Sequence, residues 1–426
     1  MLIQFSVENF RSFKERATLS LLAAKIRAKD AQVDAANTFA AGEDLTLLRA
    51  AAVYGANASG KTNMVRALAF LQFFVANSAR ETLGPAPIPV DPFRLSTETE
   101  DRPAAFEVVF RVDGQVYRYG CEITRSRVTA EWLFRAGARK EITLFIREGD
   151  AIRLGRSFAE GRGLDKRTRP NALFLSVVAQ WNGPLAQTLV DWFQSLQIIS
   201  GLEDLDYRAF TLHRFQDQAS REAIVRFVRS LDVGVDGIRT RRVEKERLAA
   251  SVPPEMRDLL AHSGEDWYAV ETLHGKYDEK GQLSGQVIFD LESGESHGTQ
   301  KLFFLSGPVL SALENGRVLV VDEMEARLHP LITLEIVRMF QSPQTNPHNA
   351  QLVFTTHDTN LLTNRRFRRD QIWFTEKDPR GATHLYSLAE LQVRNDASFE
   401  RDYIEGKYGA IPYLGDVRQV LPEEEE

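Results

Sequence analysis

The chain has 426 residues, room for one large core or two modest ones, and its 43% hydrophobic and 26% charged residues are those of an ordinary soluble globular protein. A formal net charge of −6 argues against nucleic-acid binding over the whole surface, and the single cysteine, Cys121, excludes an internal disulfide and a cysteine-based zinc site. That cysteine usage, a start without a signal-peptide pattern and the lack of any apolar segment of about 20 residues make a cytoplasmic protein with no membrane partner the expectation.

Met1 to Glu8 alternates like a strand and runs into Asn9-Phe10-Arg11-Ser12-Phe13. A second strand is predicted over Ala17 to Leu22, and Lys25 to Asp44 reads as a polar loop. The apolar stretch Ala51-Ala52-Val53-Tyr54 then leads into Gly55-Ala56-Asn57-Ala58-Ser59-Gly60-Lys61-Thr62, with a helical segment from Asn63. This fits G-x-x-x-x-G-K-[ST] in its strand-loop-helix setting. Glycines let backbone N–H groups turn inward around a phosphate, and the helix that follows points its positive end at the same anion. Lys61 is expected at the β/γ-phosphates and Thr62 on Mg²⁺, with Gly55, Asn57, Ala58, Ser59, Gly60 and Asn63 completing the nucleotide contacts.

From Ala104 to Leu154 short alternating strands are separated by turn signals such as Asp113-Gly114 and Gly149-Asp150, the pattern of antiparallel hairpins. Helical periodicity takes over at Asn171 to Gln197 and at Ser220 to Leu231. Three basic stretches, Arg153 to Arg169, Arg239 to Arg247 and Arg365 to Arg369, are solvated faces or local nucleic-acid contacts. Asp204-Leu205-Asp206 is read as a helix start rather than a metal-binding pair. Arg208 with His213 and Arg257 with His262 match a loose Arg-x4-His nuclease pattern, which 8 histidines among many arginines produce by chance. The acidic tail Glu423 to Glu426 is expected to be disordered.

Arg317 to Glu323 is an apolar run ending in two carboxylates, the form of a buried parallel strand whose carboxyl end faces a ligand. Asp322 would hold Mg²⁺, and Glu323 would orient and deprotonate a water. Gln351 to Asp358 is a second such strand, and His357 at its end is placed to hydrogen-bond a γ-phosphate.

The order of phosphate loop, Asp-Glu strand and strand-His resembles the ABC-type ATPase superfamily, which includes the SMC, RecF and OLD-like proteins. Glu295-Ser296-His297-Gly298-Thr299-Gln300-Lys301-Leu302 is similar to that superfamily's signature loop, in the Glu-Ser-x-Gly-Thr form of its AAA-type, RecF/OLD-like members rather than the transporter form. The opening Asn9-Phe10-Arg11 resembles a segment beside the nucleotide, which adds Asn9 and Arg11 to the binding candidates. Glu325 to Pro330 resembles a dimer-facing loop, and Tyr403 to Pro412 resembles the end of ATPases from bacterial abortive-infection and phage-defence operons. The resemblance implies an α/β P-loop NTPase of the ABC-ATPase head type, a mixed sheet with an antiparallel β-subdomain and a helical insertion. It implies ATP and Mg²⁺ as ligands, catalysis by Glu323 and His357, and a homodimer or higher oligomer in which Ser296 and Gly298 of one copy meet the other copy's nucleotide. The expected division is 1–100 and 284–426 for the ATPase, 101–170 for the β insertion and 171–283 for a mainly helical one. The stretch after His357 is short for a further domain and carries no Asp-x-Asp pair, so a nuclease or toxin effector is expected in a separate protein. A RecF-like DNA-binding repair clamp is the alternative.

Overall fold

The computed structural model describes residues 1–80, 87–231, 234–243 and 267–412. Arg257, His262, the end of the basic stretch at 244–247 and the tail Glu423 to Glu426 lie outside the described residues. The chain divides into two units, one of Met1–Leu202, Ser311–Ala326 and Thr333–Glu426, the other of Glu203–Leu310 and Arg327–Ile332.

In the first unit the N-terminal alternation becomes β1 (Leu2–Glu8) and β2 (Ala17–Ser20), followed by helix Ala31–Asn37, β3 (Thr38–Ala40), β4 (Thr46–Leu48), β5 (Ala50–Tyr54) and helix Lys61–Asn77. The hairpin region gives β6 (Ala104–Val112), β7 (Gln115–Ile123), β8 (Val128–Arg135), β9 (Ile142–Glu148) and β10 (Ala151–Leu154). Helices Phe174–Gln180 and Pro184–Ser195 then lead to β11 (Gln197–Ser200). The second unit holds helices Leu205–Gln216 and Gln218–Ser230 and the three-stranded antiparallel sheet β12 (Gly237–Val243), β13 (Trp267–Tyr277) and β14 (Leu283–Asp290). Helix His297–Asn315 returns the chain to the first unit, where β15 (Val318–Asp322), β16 (Gln351–Thr355), β17 (Ile372–Lys377), β18 (Thr383–Ser387) and helix Phe399–Ile404 complete it.

The apolar runs before the phosphate loop, the acids and the histidine form one sheet, in the order β11-β15-β16-β5-β17-β18. Every pairing is parallel except β17 with β18. All residues of β5, β15 and β16 are buried, which is why these strands read as continuous apolar runs rather than alternating ones. The register sets Val321 beside Phe354, Phe354 beside Ala52 and Ala52 beside Ile372, so the carboxyl ends of four neighbouring strands open onto one edge.

The other large sheet is antiparallel, in the order β10-β9-β8-β7-β6-β1-β2. Helix Lys61–Asn77 buries Leu68, Leu71 and Val75 in a core that also contains Val53 and Val320 of the parallel sheet and Phe106 and Phe110 of the antiparallel one. The α/β class with a mixed sheet and an antiparallel β-subdomain is therefore present as expected. β1 pairs with β6, so the antiparallel sheet includes residues before 101, and the stretch 171–283 carries β11 to β13 as well as helices. Periodicity shows local elements but not which strands, far apart in sequence, share a ladder.

The polar stretch Lys25 to Asp44 is not all loop. Asp30 caps helix Ala31–Asn37 by accepting from the Gln32 N–H at 2.8 Å. Asn37 is buried, donates to Val33 and Arg366 carbonyls and accepts from Gln341 Nε2 at 2.8 Å. Arg366 and Gln341 lie over 300 residues away in the chain, and they stabilise a helix too short to persist alone.

Several arginines of the basic stretches have partners within the chain. Arg368 is buried and paired with Asp34 and Asp370, Arg369 donates to the Val393 carbonyl, Arg153 pairs with Glu148 at 2.9 Å, and the Arg167 guanidinium lies 4.8 Å from the Trp181 ring centre. Among the described residues, no helix is long and apolar enough to cross a membrane.

Candidate functional site

The edge of the parallel sheet holds a cleft of about 230 Å³ lined by residues 57–63 together with Glu323, His357 and Lys377. The loop after β5 supplies most of its wall. Gly60 caps helix Lys61–Asn77 in a left-handed conformation, φ +115°, without any side-chain cap, so the first amides of the helix have no side-chain oxygen from the cap. That is a ready anion site. A Cβ on Gly60 would fall 2.3 Å from Thr383 Oγ1, which excludes every other residue type there.

Three residues that the sequence reading missed hold this loop. Thr383 Oγ1 lies 2.8 Å from both the Ser59 carbonyl oxygen and Ser12 Oγ, and Thr375 Oγ1 lies 2.7 Å from Ser59 Oγ. Ser12 Oγ also accepts from Asn63 Nδ2 at 2.8 Å. The turn after β1 and the β17–β18 hairpin thus brace the loop from outside. The only sequence signal is a hydroxyl residue in each strand or turn, too common to single out.

Lys61 is buried, and its ammonium donates to the Gly55 carbonyl at 2.9 Å and the Ala56 carbonyl at 3.2 Å. Burial lowers its pKa from the usual lysine value, while Glu323, Asp322 and Glu325 pull it back up. The three acids therefore favour the charged form that a phosphate requires.

The acids are set by β16. Thr355 Oγ1 donates to Asp322 Oδ1 at 2.6 Å and accepts from the Glu323 N–H at 2.7 Å. Glu323 has φ +52°, a conformation costly for a residue with a Cβ, and it turns the chain sharply as β15 ends. Glu325 Oε1 accepts from the His357 N–H at 2.6 Å, joining the loop after the acids to the loop after β16. The His357 pKa is lowered chiefly by burial and next by Lys61, against an upward pull from Glu325, Glu323 and Asp322. The Thr62 hydroxyl lines the cleft and the Asp322 carboxylate closes β15 one residue before Glu323; both are oxygen donors, chemistry that suits Mg²⁺.

The structure thus gathers Asn57, Ala58, Ser59, Gly60, Lys61, Thr62, Asn63, Glu323 and His357 around one cleft, with Gly55 opening the loop and Asp322 one residue behind Glu323. Asn9 does not join them. It is fully buried; Nδ2 donates to the Thr99 and Arg102 carbonyls at 2.9 and 2.8 Å, and Oδ1 accepts from the Phe93 N–H at 3.0 Å. Its polar atoms are committed to the protein, which corrects its place among the nucleotide contacts. Arg11 does not line the cleft, and its guanidinium lies 3.5 Å from Asp91.

Ser296 and Gly298 belong to the second unit. Ser296 is exposed and caps helix His297–Asn315, its Oγ accepting from the Thr299 N–H at 3.1 Å. Gly298 lies against the Arg327 carbonyl, which a Cβ would approach to 3.0 Å. Glu295 is anchored from β13, where His274 Nε2 lies 2.6 Å from its Oε1.

Among solved structures, the SMC head domain from Thermotoga maritima is similar to the chain with a TM-score of 0.41 and 13% identity, over 92% of this chain and 99% of that one. The SmcHead bound to the C-winged helix domain of ScpA is similar with a TM-score of 0.43 and 13% identity, over 94% and 99%. No curated protein matches the chain in sequence. A family model described as "AAA domain, putative AbiEii toxin, Type IV TA system" matches residues 50–363, from the strand before the phosphate loop to beyond His357, and the chain belongs to this family of AAA-type ATPases.

Proposed function

We propose that the chain binds ATP with Mg²⁺ and hydrolyses the terminal phosphoanhydride bond at a composite site that a second copy completes. The observation that carries this reading is the meeting of Lys61, Thr62, Glu323 and His357 in one cleft, with Asp322 and Glu323 both held by the Thr355 hydroxyl. Lys61 and the first amides of its helix hold the β- and γ-phosphates. Glu323 takes the proton from a water aligned with the bond to the leaving oxygen, and His357 hydrogen-bonds the γ-phosphate as charge shifts toward ADP. Bound Mg²⁺, held by Thr62 and Asp322, would neutralise charge on the β- and γ-oxygens.

An exposed Ser296 hydroxyl at the N-terminus of a 19-residue helix is a surface that a second copy could present to the γ-phosphate. ATP would then hold two copies together and hydrolysis would release them. The family description names a "putative AbiEii toxin" of a toxin–antitoxin system, and Arg368, buried against Asp34 and Asp370, has little free charge for DNA. We therefore favour an ATP-dependent sensor in bacterial antiviral defence, working with a separate effector, over a DNA clamp.

Glu323→Gln should retain ATP and accumulate as an ATP-dependent dimer in light scattering, while Lys61→Ala should lose ATP binding. Hydrolysis by Glu323→Gln at the wild-type rate would overturn the catalytic assignment. For the defence role, co-purification of a nuclease or toxin encoded nearby is expected; a fast ATPase indifferent to co-expressed neighbours would count against it.

A further inference from the structure

Among the described residues, Lys377 is the one lining the phosphate cleft that no sequence motif accounts for. It ends β17, its side chain is exposed, and its ammonium makes no hydrogen bond or ion pair with any described residue. Its backbone, by contrast, is fixed. Lys377 pairs with Thr383 in the β17–β18 hairpin, Asp378 closes the turn by accepting from the Arg380 and Ala382 N–H groups at 2.9 and 2.8 Å, and Thr383 Oγ1 is bonded to the Ser59 carbonyl of the phosphate loop. An unpaired ammonium on a rigid support beside a loop built for phosphate has polyphosphate as its natural counter-ion.

Sheet order says which part. Glu323 and His357 follow β15 and β16, which lie on one side of β5, and Lys377 ends β17, which lies on the other. The phosphate loop is therefore flanked by the reacting groups on one side and by Lys377 on the opposite one. We infer that Lys377 is a further nucleotide-binding residue, which takes the α- and β-phosphates, away from the bond being broken. The inference rests on the nucleotide reading of the cleft and extends it, because it assigns two flanks of one loop to two ends of the triphosphate.

The test is calorimetric titration of the full chain with ATP and with ADP, each with Mg²⁺. Lys377→Met should raise the Kd for both nucleotides by a similar factor, roughly tenfold, the scale of one exposed charge-assisted hydrogen bond, and Lys377→Arg should restore most of it. An exposed strand-end lysine can be replaced without opening the core, so both variants fold. Unchanged affinity for both nucleotides in Lys377→Met would make Lys377 a solvent-facing lysine only and overturn the inference. Loss for ATP with ADP unaffected would place it at the γ-phosphate and overturn the assigned end. A wild-type chain that bound neither nucleotide would refute the nucleotide reading itself, a result distinct from the other two.

Discussion

Thr355 reaches from the end of β16 to Asp322 at the end of β15, donating to Oδ1 at 2.6 Å, and the same hydroxyl accepts from the N–H of Glu323 at 2.7 Å. One buried oxygen thus fixes both the proposed metal ligand and the backbone of the proposed base. Thr355→Val keeps the shape and removes both bonds. Steady-state kinetics should show kcat reduced about 10- to 100-fold, the usual cost of losing a group that orients a metal ligand, with a raised requirement for Mg²⁺. Wild-type kcat and Mg²⁺ dependence in that variant would show that Asp322 and Glu323 do not depend on Thr355.

The His357 shift makes a signed prediction. Burial, its largest cause, lowers the folded-state pKa below the ordinary value, so above about 6.5 both folded and unfolded states hold it neutral and it makes no pH-dependent contribution. As pH falls through that value the unfolded chain takes up the proton first, so stability declines until the lower folded pKa is passed. Urea titrations between pH 7.5 and 5 should show a smaller decline in His357→Asn than in the wild type. Equal slopes would mean that other groups carry the acid sensitivity.

The parts of this site that were legible in the sequence are those in which local spacing is itself the chemistry. The eight-residue loop, two acids closing a buried run and a histidine closing another are readable because buried parallel strands are continuously apolar and their polar ends stand out. What was not legible depends on pairing across the chain. Thr383 braces Ser59 from 324 positions away, Gln341 secures the Asn37 helix from 304 away, and β1 joins the hairpin sheet by pairing with β6. Lys377 was invisible for the same reason, since a lysine at a strand end means nothing until β17 is known to lie beside β5. Asn9 shows the reverse error: a polar residue next to a motif can be fully used by the scaffold.

Asn9→Ala should therefore act on stability. The substitution leaves the buried Phe93 N–H and the Thr99 and Arg102 carbonyls without their partner, at about 2–4 kcal/mol in all. Urea denaturation should record that loss, while the ATP affinity of the folded variant stays within about twofold of wild type, because Asn9 does not line the cleft. A large loss of ATP affinity at unchanged stability would restore Asn9 to the nucleotide site.

Gly201 carries the last prediction. Its N–H donates to the Asp322 carbonyl at 2.6 Å, and a Cβ built on it would lie 1.9 Å from the Glu323 carbonyl oxygen and 2.8 Å from that of Asp322. The obstacle is backbone rather than a side chain that could swing aside, and Glu323 is already held at a positive φ. Gly201→Ala must therefore displace the Glu323 carbonyl. A displacement near 1 Å of a group positioned for in-line attack costs about 100-fold in rate, so kcat should fall by that order. The phosphate loop, which follows a different strand, should still bind ATP, and trapping of an ATP-bound dimer should resemble that of Glu323→Gln. If Gly201→Ala instead lost ATP binding and hydrolysis together, the segment after β11 would be supporting the phosphate loop rather than the acids.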